Sequence, residues 1–279
     1  MKKILSLILV GITAVCTTAQ TSEIEVSYTA YMPNMRDGSA GPSNQYILLA
    51  NESQSKFYSP RTEYIDSLNS TPDGRAKYQE MARNAYFSGN MDNMPSKDGT
   101  YYIVKSLDED KHIYYDNAGL DKYFYEEPVP RWEWEIGDSV KEILGYECFK
   151  ATTDFHGRHW TVWFTPEIPI MNGPWKFDRL LGLILEAESE GGEYRFVATG
   201  IQQTRKPITP VYLADSYERT NRIDYLKAKR AFLDNPMGQI NAQLGGNITV
   251  VKADGNTADD APLFVPSSVV DLIETDYHK

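Results

Sequence analysis

The chain has 279 residues, 41% of them hydrophobic and 12% aromatic, with 28 Lys and Arg against 39 Asp and Glu for a formal charge of −11. That balance argues against a nucleic-acid partner, which needs clustered cations to displace counterions from phosphates. Two cysteines, Cys16 and Cys148, are too few for a disulfide framework, so stability must come from burial.

At the N-terminus, Lys2 and Lys3 precede an apolar run from Ile4 to Val15 and the small residues Thr17, Thr18 and Ala19. This pattern predicts a secretory signal over residues 1–19, with cleavage after Ala19 and soluble export to the periplasm, the outer membrane's surroundings or the medium. A lipid anchor on Cys16 is the competing reading, and the bulky Val15 before it speaks against that. No later stretch approaches the roughly 18 apolar residues a membrane span requires, so no transmembrane segment is predicted.

Next, "EIEVSYTAYM" (Glu23–Met32) alternates, with Ile24, Val26, Tyr28, Ala30 and Met32 on one side of a half-buried strand. "NQYILLANESQSKFYS" continues as strand with a polar break. "GRAKYQEMARNAYF" (Gly74–Phe87) changes period, placing Tyr78, Met81, Ala82 and Ala85 at helical spacing and predicting one or two short helices between Thr62 and Phe87. Strands resume with "TYYIVKSL" and "KHIYYD", joined through the acidic loop "DED". "RWEWEI" (Arg131–Ile136) alternates, with Trp132, Trp134 and Ile136 on one face, and Gly137 and Asp138 are read as a turn into "SVKEILGYECFKATTDF". "GRHWTVWF" follows a glycine turn, and "PEIPI" cannot be a central strand because its prolines lack donors.

"LGLILEAES" is predicted as a core strand ending at Gly191 and Gly192, with "EYRFVATGIQQTRK" as its hairpin partner. Before it, Gly173–Arg179 reads as a loop that presents Trp175 and Phe177 outward. From Asp215 the pattern is helical, with Ile223, Leu226, Arg230 and Leu233 in register until Pro236 interrupts it. The last stretch is rich in Gly, Asp, Asn and Ala. The expected organisation is a signal over 1–19, one β-rich domain over 20–250 and a loosely ordered tail over 251–279. The fold class is mainly β with helices (α+β), a curved antiparallel sheet with helices packed against it.

The order of "ILGYECFKAT" and "GRHWTVWFTPEIPIMNGPWKFDRLLGLILEAES" resembles the GLPGLI family of exported proteins from Bacteroidetes-type Gram-negative bacteria, over roughly Ile143 to Glu188. The chain departs from the family name at Leu181, where proline is usual. The resemblance implies an envelope compartment and fold kinship, with no established activity, and it points to an outer-membrane transport receptor as a possible class of partner.

Sequence motifs for chemistry are scarce. There is no G-x-S-x-G elbow, no H-E-x-x-H and no phosphate loop. His156 and His159 are three apart, which on a strand directs them to opposite faces, so no metal and no cofactor are assigned. Cys148 sits in an apolar strand and reads as an inert buried thiol. All five tryptophans fall between Trp132 and Trp175. Such a cluster reads first as a sheet packed with aromatics against the helices; the functional reading is an aromatic-lined concavity for an apolar or glycan-like ligand, with Trp160, Trp163, Trp175 and Phe177 as candidate ligand-binding residues. No catalytic residue is assigned. The functional reading is an exported, non-catalytic binding or interaction protein of the cell envelope; the alternative is an envelope hydrolase using acidic residues.

Overall fold

The computed structural model describes residues 21–35, 38–245 and 270–278. The expected signal at 1–19, with Cys16, and residues 251–269 of the expected tail lie outside the described residues. Period-two alternation dominates the sequence, and strands are what it forms: β1 (Ile24–Tyr31), β2 (Asn44–Ala50), β3 (Gln54–Tyr58), β4 (Tyr102–Ser106), β5 (Lys111–Ala118) and β6 (Asp121–Pro128) make the first meander. After it come β7 (Glu135–Ile143), β8 (Tyr146–Phe155), β9 (Arg158–Thr165), β10 (Leu183–Ser189), β11 (Arg195–Gln203) and the short β12 (Glu218–Arg219). All twelve join one sheet in the order β12-β6-β5-β4-β3-β2-β1-β11-β10-β9-β8-β7. Every pairing is antiparallel except β12 with β6. The protein is mainly β with helices.

Four α-helices interrupt the strands among the described residues: α1 (Pro60–Asn69), α2 (Pro72–Phe87), α3 (Arg222–Asp234) and α4 (Pro236–Leu244). Ser59, Thr71, Asn221 and Asn235 each accept a backbone N–H as N-cap, and proline opens α1, α2 and α4, where its missing donor costs nothing. Pro236 therefore ends one helix by starting another.

Several local expectations are revised. β6 carries no clean alternation and was not anticipated. "RWEWEI" becomes strand only from Glu135, and Gly137 and Asp138 sit inside β7 at a register irregularity, while the turn falls at Leu144 and Gly145, both with positive φ. Residues 270–278, expected to be loose, carry the buried side chains of Val270, Leu272, Glu274 and Tyr277.

Gly182 opens β10 at φ 147°, and a Cβ there would stand 2.1 Å from the Thr165 carbonyl oxygen; close backbone approach is what the glycine permits. The strand it starts is buried on both faces, because Glu186 is matched by Lys141 at 2.7 Å and Arg195 at 3.1 Å. Cys148 is buried on β8, and burial pushes its thiol up to about 11, the inert state expected of it.

Candidate functional site

Between β9 and β10 the chain turns residues 172–178 into the interior of the protein. Trp175, Lys176, Phe177 and Asp178 are each wholly buried, and two sets of polar groups hold them. Lys105 on β4 donates to the Asn172 side chain at 3.0 Å and to the carbonyls of Gly173 at 3.1 Å and Phe177 at 2.6 Å. Burial lowers its pKa to about 8. The Asp178 carboxylate lies 2.6 Å from His112 of β5 and accepts from the Trp132 indole at 2.5 Å, which is why the two tryptophans before β7 turn inward.

Lys176 reaches the second set. Its ammonium lies 2.5 Å from Glu127 and 2.7 Å from Glu274, and sits over the faces of Tyr114 and Tyr125. Arg222, the first residue of α3, bridges Glu274 at 2.7 Å and Asp276 at 2.7 Å, and His156 adds a contact to Asp276 at 3.1 Å. Burial opposes ionisation of Glu274, but Lys176, His156 and Arg222 outweigh it and hold the carboxyl below its ordinary range. Burial likewise works against Asp276, and its Arg222 hydrogen bonds prevail, leaving it at about 2. His156 is kept below its usual value by burial. His156, Glu274 and Asp276 offer ligand atoms within 4.8 Å of one another, yet Arg222 and Lys176 already neutralise that acid pair.

Beside this layer opens a cavity of about 320 Å³. Its walls are rings from neighbouring strands: Tyr46 stacks on Tyr101 at 4.9 Å, Tyr101 on Tyr114 at 5.6 Å, and Tyr114 meets Tyr225 of α3 at 5.6 Å. The hydroxyls of Tyr46 and Tyr101 are buried and interact with each other, with no further hydrogen-bond partner among the described residues, a demand that a bound water or ligand can meet. Two carboxylates stand in the wall, Asp116 and Glu274, with 3% and 1% of their surface exposed. Asp116 follows Tyr114 by two residues on β5, so both face the same side. It accepts from Thr100 at 2.5 Å, Tyr225 at 2.5 Å and Lys229 at 3.0 Å, the last two lying one turn apart on α3. Burying a carboxylate is costly unless partners compensate it. Here one is buried, compensated by three donors and placed beside open volume.

A larger hollow, about 990 Å³, lies by the ends of β1 and β11, but its carboxylates Glu23, Glu52 and Glu167 are exposed at the rim. It lacks the buried charge of the aromatic cavity.

The four residues expected to bind ligand have different places. Trp160, Trp175 and Phe177 are 0% exposed and pack on one another at 4.9 to 5.4 Å, so they form core and offer no surface. Trp163, of opposite parity on β9, is half-buried beneath Lys141 at 4.3 Å. None lines the cavity. In the sequence the tryptophans cluster more visibly than the tyrosines of this cavity, whose local signal is Asp116 at inward parity in "KHIYYD". His156 and His159 do not combine: the first turns to Asp276, the second to Asp154 at 2.8 Å.

A family model described as N-glycanase peptide, N-terminal domain, matches residues 80–229. The fold is similar to PNGF-II in its P21 crystal form, at 15% identity and a TM-score of 0.50 over 74% of this chain and 33% of that one. The C2 form gives 14% identity and a TM-score of 0.50 over 75% and 32%. At such identity the likeness is one of fold, and this chain spans about a third of the length of those structures. No curated protein matches the chain. The family match overturns the reading of a non-catalytic binding or interaction protein and favours its alternative, a hydrolase working through acidic residues.

Proposed function

The chain belongs to the family of N-glycanase N-terminal domains, and on that premise we propose that it is a glycan-cleaving protein that receives part of an N-linked glycan in the aromatic cavity. One observation carries the reading: the matched residues 80–229 contain Asp116 with all three of its donors, Thr100, Tyr225 and Lys229, together with the rings of Tyr114 and Tyr194. Tyrosine faces suit the apolar side of a sugar ring, and a fixed carboxylate suits its hydroxyls and the proton transfers of hydrolysis. Asp116 is the acid we assign to that work.

The finer shape of the fold belongs to the same proposal. Residues 129–134 connect β6, next to one edge of the sheet, with β7 at the other edge. Ten strand spacings of about 4.8 Å would separate those strands by roughly 48 Å in a flat sheet, whereas such a link reaches at most about 25 Å. The connection supports a sheet curved around Trp175 to Asp178, with α3 laid against its inner side.

Export through the leader at residues 1–19 fits a protein that meets glycoproteins outside the cytoplasm. Kinship with GLPGLI proteins stands as a further proposal, supported by the resembling segment, Ile143 to Glu188, lying inside the matched range. A glycan ligand has this support, and the transport receptor has none. The test is incubation of the protein with an N-glycosylated peptide and mass spectrometry of the products. Released glycan that disappears with Asp116→Asn is expected; release unchanged by Asp116→Asn, or no release at all, would overturn the assignment.

A further inference from the structure

Leu272, Ile273 and Glu274, three consecutive residues near the C-terminus, form part of the wall of the aromatic cavity. The segment that carries them, Val270–His278, belongs to none of the twelve strands. Its backbone is met largely by side chains: Arg158 donates to the carbonyls of Leu272 at 2.8 Å and Ile273 at 3.1 Å, and the Tyr194 hydroxyl donates to Asp271 at 2.7 Å. The Thr275 amide donates to the His156 carbonyl at 2.9 Å. Glu274 and Asp276 close the attachment on Lys176 and Arg222. The segment also lies outside the family match, which ends at residue 229.

We infer that Val270–His278 is a strap occupying one side of the cavity, which must lift for a glycan to seat fully, so that the chain restrains its own site. The inference rests on the proposed function for the identity of the ligand, but not for the strap itself. A segment whose backbone is held by side chains and belongs to no strand ladder can open as a unit of its own, apart from the sheet. Its departure would free the Tyr194 hydroxyl, a donor in the cavity wall suited to the hydroxyls of a sugar, while Leu272 would leave apolar volume behind it. The strap and a glycan thus compete for the same wall. A competing closed state weakens the observed affinity by the fraction of molecules that are closed.

The experiment uses the full chain, unaltered and with Arg158→Ala or Leu272→Ala. Three readouts are taken: amide hydrogen exchange, binding of the apolar dye 8-anilinonaphthalene-1-sulfonate, and affinity for an N-glycosylated peptide. In the unaltered protein, amides of 270–278 should exchange at least tenfold faster than those of β1 and β11. Either substitution should raise strap exchange and dye binding several-fold while β1 and β11 keep their protection, and should tighten glycopeptide binding. Exchange of 270–278 at the rate of β1 and β11, with both substitutions accelerating strap and sheet equally, would overturn the strap. If the strap opens as expected but glycopeptide binds neither form, the strap stands and the glycan reading fails. If glycopeptide binds the unaltered protein and neither substitution changes strap exchange or affinity, the strap fails and the glycan reading stands.

Discussion

Lys176 and Glu274 meet at 2.7 Å with 0% and 2% of their side chains exposed. One comes from the inner segment between β9 and β10, the other from the C-terminal strap, so this ion pair fastens the end of the chain to the centre of the fold. Removing one partner of such a pair strands the other charge. Lys176→Met should therefore destabilise the protein by about 3 to 5 kcal/mol, measured by urea unfolding, and Lys176→Met combined with Glu274→Leu should cost less than the two single changes added together.

Trp175 and Leu183 should respond alike to truncation. Both are 0% exposed, and Trp175 is packed against Trp160 at 5.4 Å and Phe177 at 5.2 Å. Trp175→Ala should cost about 3 to 5 kcal/mol and Leu183→Ala about 2 to 5 kcal/mol. A Trp175→Ala protein that loses under about 1 kcal/mol, on the scale of surface substitutions, would contradict the burial described.

Gly182 and Gly200 make a controlled pair. A Cβ at Gly182 would collide with the Thr165 carbonyl at 2.1 Å and the backbone φ is 147°, whereas nothing lies within 4 Å at Gly200. Gly182→Ala should lower stability by at least about 1 to 3 kcal/mol, and Gly200→Ala should stay within about 0.5 kcal/mol of the parent. Equal melting temperatures for the two variants would count against the close approach of β9 and β10.

The pH dependence follows from three kinds of buried or half-buried group. Burial lowers the pKa of His156 and of His112, so the unfolded chain takes up protons below about pH 6.5 that the native state resists, and stability falls as pH drops from there. Asp276, held at about 2 by Arg222, contributes stability that is present above about pH 3.9 and lost as pH falls towards 2. Lys105, lowered to about 8 by burial, acts in the same sense on the alkaline side: the native state releases its proton first, so this group adds stability as pH rises from 8 to about 10.4. Urea midpoints across pH should show His156→Gln flattening the slope below about pH 6.5; an unchanged slope would remove His156 from the titration.

Alternation made the strands from β1 to β5 and from β8 to β11 legible, and proline and Ser, Thr or Asn caps marked the helices. β6 was hidden because its outer face mixes charge and rings, as "DKYFYEEP" shows. The inward direction of Trp132, Trp134 and Trp175 was hidden for another reason. It depends on Asp178 and Lys105, partners 46 and 68 to 72 residues away along the chain, and local spacing carries no record of them. The cavity was half legible: Tyr114 and Asp116 share a face of β5, but Tyr225, Lys229 and Glu274 reach them only through the packing of α3 and the strap. The tail misled because Gly, Asp and Asn dominate its first part, while Leu272, Glu274 and Tyr277 near its end bury themselves.

The most direct measurement is calorimetric titration of the protein with an N-glycosylated peptide and, separately, with the same peptide stripped of its glycan, for the unaltered chain and for Asp116→Asn. Asp116 accepts from Thr100, Tyr225 and Lys229 at the cavity wall, so the asparagine keeps the shape and removes the charge. The expected result is binding of the glycosylated peptide alone, at least tenfold weaker with Asp116→Asn, a loss of about 1.4 kcal/mol. Equal binding of both peptides, or an affinity untouched by Asp116→Asn, would contradict a glycan site in this cavity.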